Sequence, residues 1–364
     1  MSCQNSLIKF TTPAFIFFIM LSVFSCRNNQ VQQLELPIAQ PIDQVEAPEG
    51  MVWVEGKTFL QGAKNNDKYA MPREKPAHNV TVDGFFIDVT EVTNYQFRAF
   101  VEATNYITVA ERKIDWEDMK KQLPQDAIKP HDSVLQPGSL IFNKTVDAVV
   151  NMNNYAQWWT WKVGADWQHP EGPDSNIDGK DNYPVVHVAL DDALAYCKWA
   201  NRRLPTEAEW ESAAQGTNTS AIFTWGNDAS ILDANANTWQ GEFPIKNEPL
   251  DGFEFIAPVK SYPKNSIGLF DVTGNVWELT SDLFNTNYYK QIDTTQPQIN
   301  PKGADKSYSA ANQYIEEYII KGGSFLCHAS YCASFRISAK MGVTSDSSSD
   351  HVGFRTVATL AMLN

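Results

Sequence analysis

KGGSFLCHASYC, Lys321 to Cys332, sets two cysteines five residues apart in a chain of 364 residues that holds only five. A histidine follows the first thiol, and paired glycines stand just upstream. Thiols this close can form a disulfide, clamp a metal or work as a redox pair. The spacing is not Cys-x-x-Cys, and no second Cys/His cluster completes the four ligands of a structural zinc site. A disulfide across so short a loop would add little constraint to the unfolded chain. Two thiolates converging on one point suit a soft monovalent ion, and Cu(I) is the obvious one. His328 and neighbouring backbone N–H groups would support thiolate character. Gly322 and Gly323 would let another backbone approach closely, which suggests a peptide groove leading to the sulfur pair. Disulfide and metal both stay open on these residues alone.

The other cysteines narrow the question. Lys9 precedes the apolar run AFIFFIML, Ala14 to Leu21, and then Val23-Phe24-Ser25-Cys26. That run is too short to span a bilayer comfortably and has the proportions of a signal-peptide core. Its end resembles a bacterial lipobox, although Phe24 is bulky there; an ordinary secretory signal is the alternative. Either way residues 1–26 predict an exported, periplasmic protein, and the lipobox adds a membrane anchor at Cys26. Residues 27–48, rich in Gln and Pro and without periodicity, read as a flexible tether. The folded domain is expected over 49–364, with Cys197, Cys327 and Cys332.

Composition supplies 43% hydrophobic residues, among them 11 Trp, 20 Phe and 13 Tyr, enough for a large core. The formal charge of −14 comes without a basic patch and argues against nucleic acid as a partner. From Met51, MVWVEGKTFLQG predicts a hairpin and HNVTVDGFFIDVTEVT further strands. Thr93 with Gln96 forms a capping box for a helix to about Val101. Residues 110–150 read as a long irregular excursion. DDALAYCKWANRR predicts a helix burying Ala193, Tyr196, Cys197 and Ala200, with Cys197 a small core hydrophobe. Thr206 and Glu209 cap a second helix. Beyond Gln215, short apolar runs alternate with Gly, Asn, Asp and Pro. The expected architecture is α+β: one irregular, loop-rich domain.

Two of these loops gather oxygen. ANTWQGEFPIKNEPLDGF offers Asn237 and Asp251 with the carbonyls of Thr238 and Phe253. DVTGNVWEL offers Asp271 and Glu278 with the carbonyls of Gly274 and Val276. Hard cations such as Ca²⁺ take six to eight such oxygens. Asx-turns explain the same residues without a metal.

Taken together, the segments DGFFIDVTEVTN, GADWQHPEGPDS, RLPTEAEWE, FTWGN, ANTWQGEFP, GLFDVTGNVWELTSD, KGGSFLCHASYC and SSSDHVGFR resemble the formylglycine-generating enzymes, or sulfatase-modifying factors, across 51–364. RLPTEAEWE, GNVWE and GFR are shared widely in that superfamily, and Cys-His-x-x-Tyr-Cys is the specific part. The resemblance implies a variant C-type-lectin-like fold and an O₂-dependent oxidase. Its substrate would be the cysteine of a Cys-x-Pro/Ala-x-Arg motif in sulfatase polypeptides, converted to Cα-formylglycine with a thiol reductant. By the same resemblance Cys327 and Cys332 would bind Cu(I), the substrate thiolate joining as a third sulfur, and Cys332 would engage the substrate cysteine as a mixed disulfide. Ser324 and Trp277 would line the oxygen pocket, and His328 and Tyr331 would shape it. Asn237, Thr238, Asp251 and Phe253 would hold one structural Ca²⁺, and Asp271, Gly274, Val276 and Glu278 a second. The disulfides of vertebrate relatives are missing: Thr356 stands where Cys197 would find its partner, and Ala213 or Ala214 and Ile337 occupy the second bridge.

Three rivals remain. A non-catalytic lipoprotein scaffold of the same superfamily, in a surface-motility or secretion machine, would equally need an anchor but not both thiols. An iron-dependent sulfoxide synthase would need a histidine triad, whereas the six histidines are scattered singly. A calcium-dependent lectin module would leave KGGSFLCHASYC unexplained.

Overall fold

The computed structural model describes residues 46–364 apart from positions 122, 311, 314 and 364. The leader 1–26 and the tether up to residue 45 lie outside the described residues. Among the described residues no helix is long and apolar enough to cross a membrane.

The chain begins with β1 (Met51–Val54), β2 (Lys57–Gln61), β3 (His78–Val82) and β4 (Phe85–Asp88). Met51–Gly62 is not the expected hairpin. β1 pairs antiparallel with β4, whereas β2 pairs antiparallel with β3 in another sheet. The two linkers, Glu55-Gly56 and Asp83-Gly84, cross at contact distance, and a Cβ on Gly56 would stand 2.9 Å from the Gly84 nitrogen. Only glycine fits that crossing, so the chain changes sheet twice where local pattern suggests a turn.

α1 (Asn94–Thr104) starts at Thr93 with the reciprocal capping box to Gln96 and runs one turn past the expected end. α2 (Trp116–Lys120), β5 (Gly138–Phe142) and β6 (Trp159–Val163) follow. The excursion over 110–150 is therefore not wholly irregular, since β5 pairs antiparallel with β6 from Gly138↔Val163 to Phe142↔Trp159. α3 (Leu190–Trp199) buries Ala193, Tyr196 and Cys197, whereas Ala200, expected in the same face, stands past the helix end and is half-buried. Its Tyr196 stacks on Phe97 of α1 at 6.1 Å, and Phe354 meets Tyr196 edge-on at 5.3 Å. α4 (Glu207–Gln215) has the Thr206–Glu209 capping box and a nearly fully buried body. Ala213, Ala214 and Ile337 pack into one apolar cluster.

The rest of the chain is loop-rich: β7 (Gly241–Glu242), β8 (Lys246–Asn247), β9 (Trp277–Leu283), α5 (Tyr288–Gln291), β10 (Gln298–Ile299), β11 (Glu317–Lys321), β12 (Met341–Thr344), β13 (Val352–Gly353), β14 (Val357–Ala358) and α6 (Leu360–Leu363). β12, β11, β9 and β13 form a four-stranded sheet in that order. β11 delivers the chain into Gly322, and β9 starts at Trp277, so this sheet carries both walls of the site described next.

Candidate active site

After β11 the backbone turns through Gly322 and Gly323, both with positive φ. A Cβ on Gly322 would lie 2.9 Å from the Val272 carbonyl, and one on Gly323 would lie 2.9 Å from the Phe335 nitrogen. The backbones that approach these glycines belong to the chain itself, so the pair serves folding and not substrate entry. The Phe325 N–H donates to the Asn275 carbonyl at 2.9 Å, and the Cys327 N–H donates to the Ser324 carbonyl at 2.8 Å. A second turn follows, with the N–H groups of Tyr331 and Cys332 donating to the His328 carbonyl at 3.0 and 2.8 Å.

These turns bring the two sulfurs to 2.9 Å as free thiols. That is well beyond a disulfide bond of about 2.05 Å and within sulfur hydrogen-bonding reach. Cys327 is 1% exposed and Cys332 is half-buried. Burial and the hydrogen bond with Cys332 push the Cys327 thiol well up. The same hydrogen bond holds Cys332 down, to about 7, against the effect of burial, with Ser334 and the Arg73 guanidinium helping. As pH rises past about 7, Cys332 is the sulfur that loses its proton, and the Cys327 thiol then donates to the Cys332 thiolate.

The thiols face a cavity of about 670 Å³, also lined by Ser324, Trp277, Tyr331 and His351. The Ser324 N–H donates to the Cys327 sulfur at 3.4 Å. Trp277 is buried at the start of β9, its N–H donating to the His351 carbonyl at 2.8 Å. Tyr331 stacks on Phe243 at 4.8 Å and meets Trp158 edge-on at 5.5 Å. The His328 ring is not among the lining side chains; its Nδ1 pairs with the Ser330 hydroxyl at 2.7 Å. Sequence reasoning brings Cys327, Cys332, Ser324, Trp277 and Tyr331 to this cavity but misses Arg73, Phe243, Trp158 and His351. His351 lies within the quoted SSSDHVGFR, and burial with neighbouring His187 holds its ring near 3, hence neutral at physiological pH.

The oxygen-rich loops adjoin one another, because the Asn275 N–H donates to the Asn237 carbonyl at 2.9 Å. Asn237 is fully buried, and its Oδ1 has no hydrogen-bond partner. Asp251 accepts the Thr238 and Phe253 N–H groups at 2.9 and 3.1 Å. Asp271 accepts the Lys260 N–H at 2.6 Å through Oδ2, while its buried Oδ1 is unpartnered. Burial raises Asp271 to about 6. Glu278 lacks a spare oxygen: Arg355 takes both at 2.6 Å, and Trp210 Nε1 donates to one at 2.7 Å. Among the described residues no three His, Cys, Asp or Glu side chains converge as a metal cluster. A cation here would depend on amide and carbonyl oxygens beside single carboxylates.

The sequence model of the sulfatase-modifying factor enzyme 1-like domain matches residues 39–360. The mouse formylglycine-generating enzyme is 39% identical over 85% of this chain and 74% of its own length. That of Thermomonospora curvata is 39% identical over 86% of this chain and 94% of its own. A cattle relative named inactive C-alpha-formylglycine-generating enzyme 2 is 34% identical over 88% of this chain and 90% of its own. Among solved structures, PvdO from Pseudomonas aeruginosa shares the fold at 20% identity with a TM-score of 0.54, covering 85% of this chain and 94% of that one. By the extent of these matches, the chain belongs to the formylglycine-generating enzyme (sulfatase-modifying factor) family.

Proposed function

We propose that this protein oxidises a cysteine in sulfatase polypeptides to Cα-formylglycine. The observation that carries the reading is the thiol pair: two sulfurs 2.9 Å apart, within hydrogen-bonding reach of each other, at the wall of an open aromatic-lined cavity. Relatives named formylglycine-generating enzyme support the substrate class. One relative of similar extent is named inactive, so identity alone does not decide for catalysis. A scaffold would have no need of a poised thiol beside a buried proton donor, and that favours the enzyme.

The donor set suits a soft ion, because both sulfurs share the cavity and no carboxylate lines it among the described residues. Cys327 and Cys332 would hold Cu(I), which would supply oxidation by O₂ with a thiol reductant. The chain's own part is to bind and orient. Cys332 presents thiolate at neutral pH for the substrate sulfur, and Cys327 holds the proton at its Sγ. The Ser324 N–H steadies Cys327. Trp277, Trp158 and Phe243, all buried, give the cavity dry walls.

For calcium, the unpartnered Asn237 Oδ1 and Asp271 Oδ1 are the acceptors that fit a cation. Two ions belong to this reading: Asp251 and the carbonyls of Thr238 and Phe253 would join Asn237 around one, and the carbonyls of Gly274 and Val276 would join Asp271 around the other. Export and a lipid anchor at Cys26 belong to the same reading, and membrane fractionation with mass spectrometry of the mature N-terminus tests them.

The decisive experiment incubates copper-loaded protein with a Cys-x-Pro-x-Arg peptide in air and follows loss of the thiol mass and gain of a hydrazide-reactive aldehyde. Cys332→Ser should reduce product to background, while thermal unfolding stays close to wild type because the site is half-buried. Wild type that forms no more product than Cys332→Ser would sink the proposal.

A further inference from the structure

The cavity over the thiols is lined by two guanidinium groups and, among the described residues, by no carboxylate. The two arginines are in opposite circumstances. Arg336 is neutralised where it stands: NH1 donates to Asp67 Oδ2 at 2.5 Å and Glu74 Oε2 at 2.7 Å, and NH2 donates to Glu74 Oε1 at 2.9 Å. Arg73, the residue before Glu74, is anchored through Nε alone, which donates to the Lys340 carbonyl at 2.8 Å. Its two terminal nitrogens have no hydrogen-bond partner among the described residues. Its neighbour Glu74 is already engaged by Arg336 and, at 3.1 Å, by the Ser338 hydroxyl. Burial accordingly lowers the affinity of Arg73 for its proton. His351 is neutral.

A half-buried guanidinium held at one nitrogen, with its planar fork open, is matched to a carboxylate that would accept from both free arms. The rest of the wall nearby is Tyr69, Met71, Met152 and Tyr155, aromatic and thioether groups that adapt to peptide side chains. We infer that Arg73 is a specificity residue that pairs with an Asp or Glu of the polypeptide substrate, close in sequence to the cysteine that is oxidised. This rests on the proposed function and names a feature of its substrates. A cavity of about 670 Å³ is roughly 9 Å across, which is about three residues of extended chain. The acid therefore lies within about three residues of the cysteine. The arginine ending the motif carries the wrong sign to meet Arg73.

The test uses the full-length, metal-free chain and fluorescein-labelled Ser-x-Pro-x-Arg peptides, in which Ser replaces Cys so that no chemistry occurs. Glu, Gln or Lys is placed in turn at each of the three positions before the serine and at both variable positions after it, and anisotropy gives Kd at low and high salt. The expected result is one position where Glu binds about tenfold tighter than Gln, the gap shrinking with salt. Arg73→Gln should erase the preference, and Arg73→Glu should turn it toward Lys. No position with more than a twofold difference, absence of any binding, or a preference that survives Arg73→Gln would overturn the inference. The Glu/Gln comparison on wild type needs no variant, so a misfolded mutant cannot shelter it. Conversion of the matching Cys peptides is measured separately. Equal KM for Glu and Gln peptides would remove the role of Arg73 and leave the oxidase, whereas acid-dependent binding without any conversion would do the reverse.

Discussion

Between α4 and β9, Arg355 lies fully buried with both arms of its fork on Glu278 at 2.6 Å and further bonds to the carbonyls of Asp88 and Phe270. In the cavity over the thiols, Arg73 keeps one bond and leaves two nitrogens open. The frame pairs two buried lysines as it pairs Arg355. Buried Lys321 donates to Glu211 at 2.8 Å, and Lys340 donates to Glu207 at 3.0 Å while lying 3.5 Å over the Tyr289 ring. Taking an ion out of water costs several kcal/mol unless a partner compensates, so a core this ionic holds only if it is paired. The groove can leave groups unmatched because solvent reaches them, and unmatched groups are what a substrate can satisfy.

The sharpest way to break the comparison is Arg355→Met. It strands the Glu278 carboxylate in the core, and urea unfolding should show a loss of about 3–5 kcal/mol. Adding Glu278→Leu should recover much of that loss, because the pair is then replaced by apolar groups and no longer half-removed. A loss under about 1 kcal/mol for Arg355→Met would mean the frame does not depend on pairing.

The unpartnered oxygens of Asn237 and Asp271 are among the frame's exceptions, and calcium should complete them. Calcium at a hundred times its Kd should stabilise the chain by about 2.7 kcal/mol, chelation should reverse this, and Asp271→Ala should abolish half or more of the gain. A melting curve indifferent to both calcium and chelator would remove the ion from the account.

Helices α1 and α4 were legible because their caps are local: Thr93 speaks to Gln96 and Thr206 to Glu209, three residues on. Burial of Cys197 followed from helical spacing alone. The β1–β2 hairpin was misread because the deciding contact, Gly56 against Gly84, is non-local and carries no periodicity. The β5–β6 ladder hid inside a stretch whose strands have partners but little alternation in burial. At the site, scarcity made Cys327 and Cys332 stand out. Arg73 did not, because its place depends on a carbonyl 267 residues away. Nor did the sequence reveal that Glu278 answers to Arg355.

Cys327→Ala sharpens the groove side of the comparison. In the metal-free wild type, alkylation of Cys332 by iodoacetamide should reach half its maximal rate near pH 7. The Cys327 thiol donates to the Cys332 anion, so deleting it destabilises the charged form and must raise the midpoint, toward the ordinary thiol value of about 8.5. A midpoint that stays put would show that the Cys327 thiol does not donate to the Cys332 thiolate.

The smallest expected effect tests whether frame and groove are separable at all. At the start of α4 the Thr206 hydroxyl accepts the Glu209 N–H at 3.1 Å, and Glu209 Oε2 accepts the Thr206 N–H at 2.9 Å. Thr206→Ala removes the first bond and leaves the second, which Arg203 also steadies through its own pair of bonds to Glu209. The cost in urea unfolding should be about 1 kcal/mol. The Cys332 alkylation midpoint should not move, because the turn holding the thiols is closed by its own bonds to the Ser324, Asn275 and His328 carbonyls. None of those runs through the helix N-terminus. A shift of half a pH unit or more in this variant would mean that strain in the helix reaches the sulfurs through Trp210 and Gly322, whose added Cβ would stand 3.3 Å from that ring. The paired core would then set the poise of the groove as well as support it.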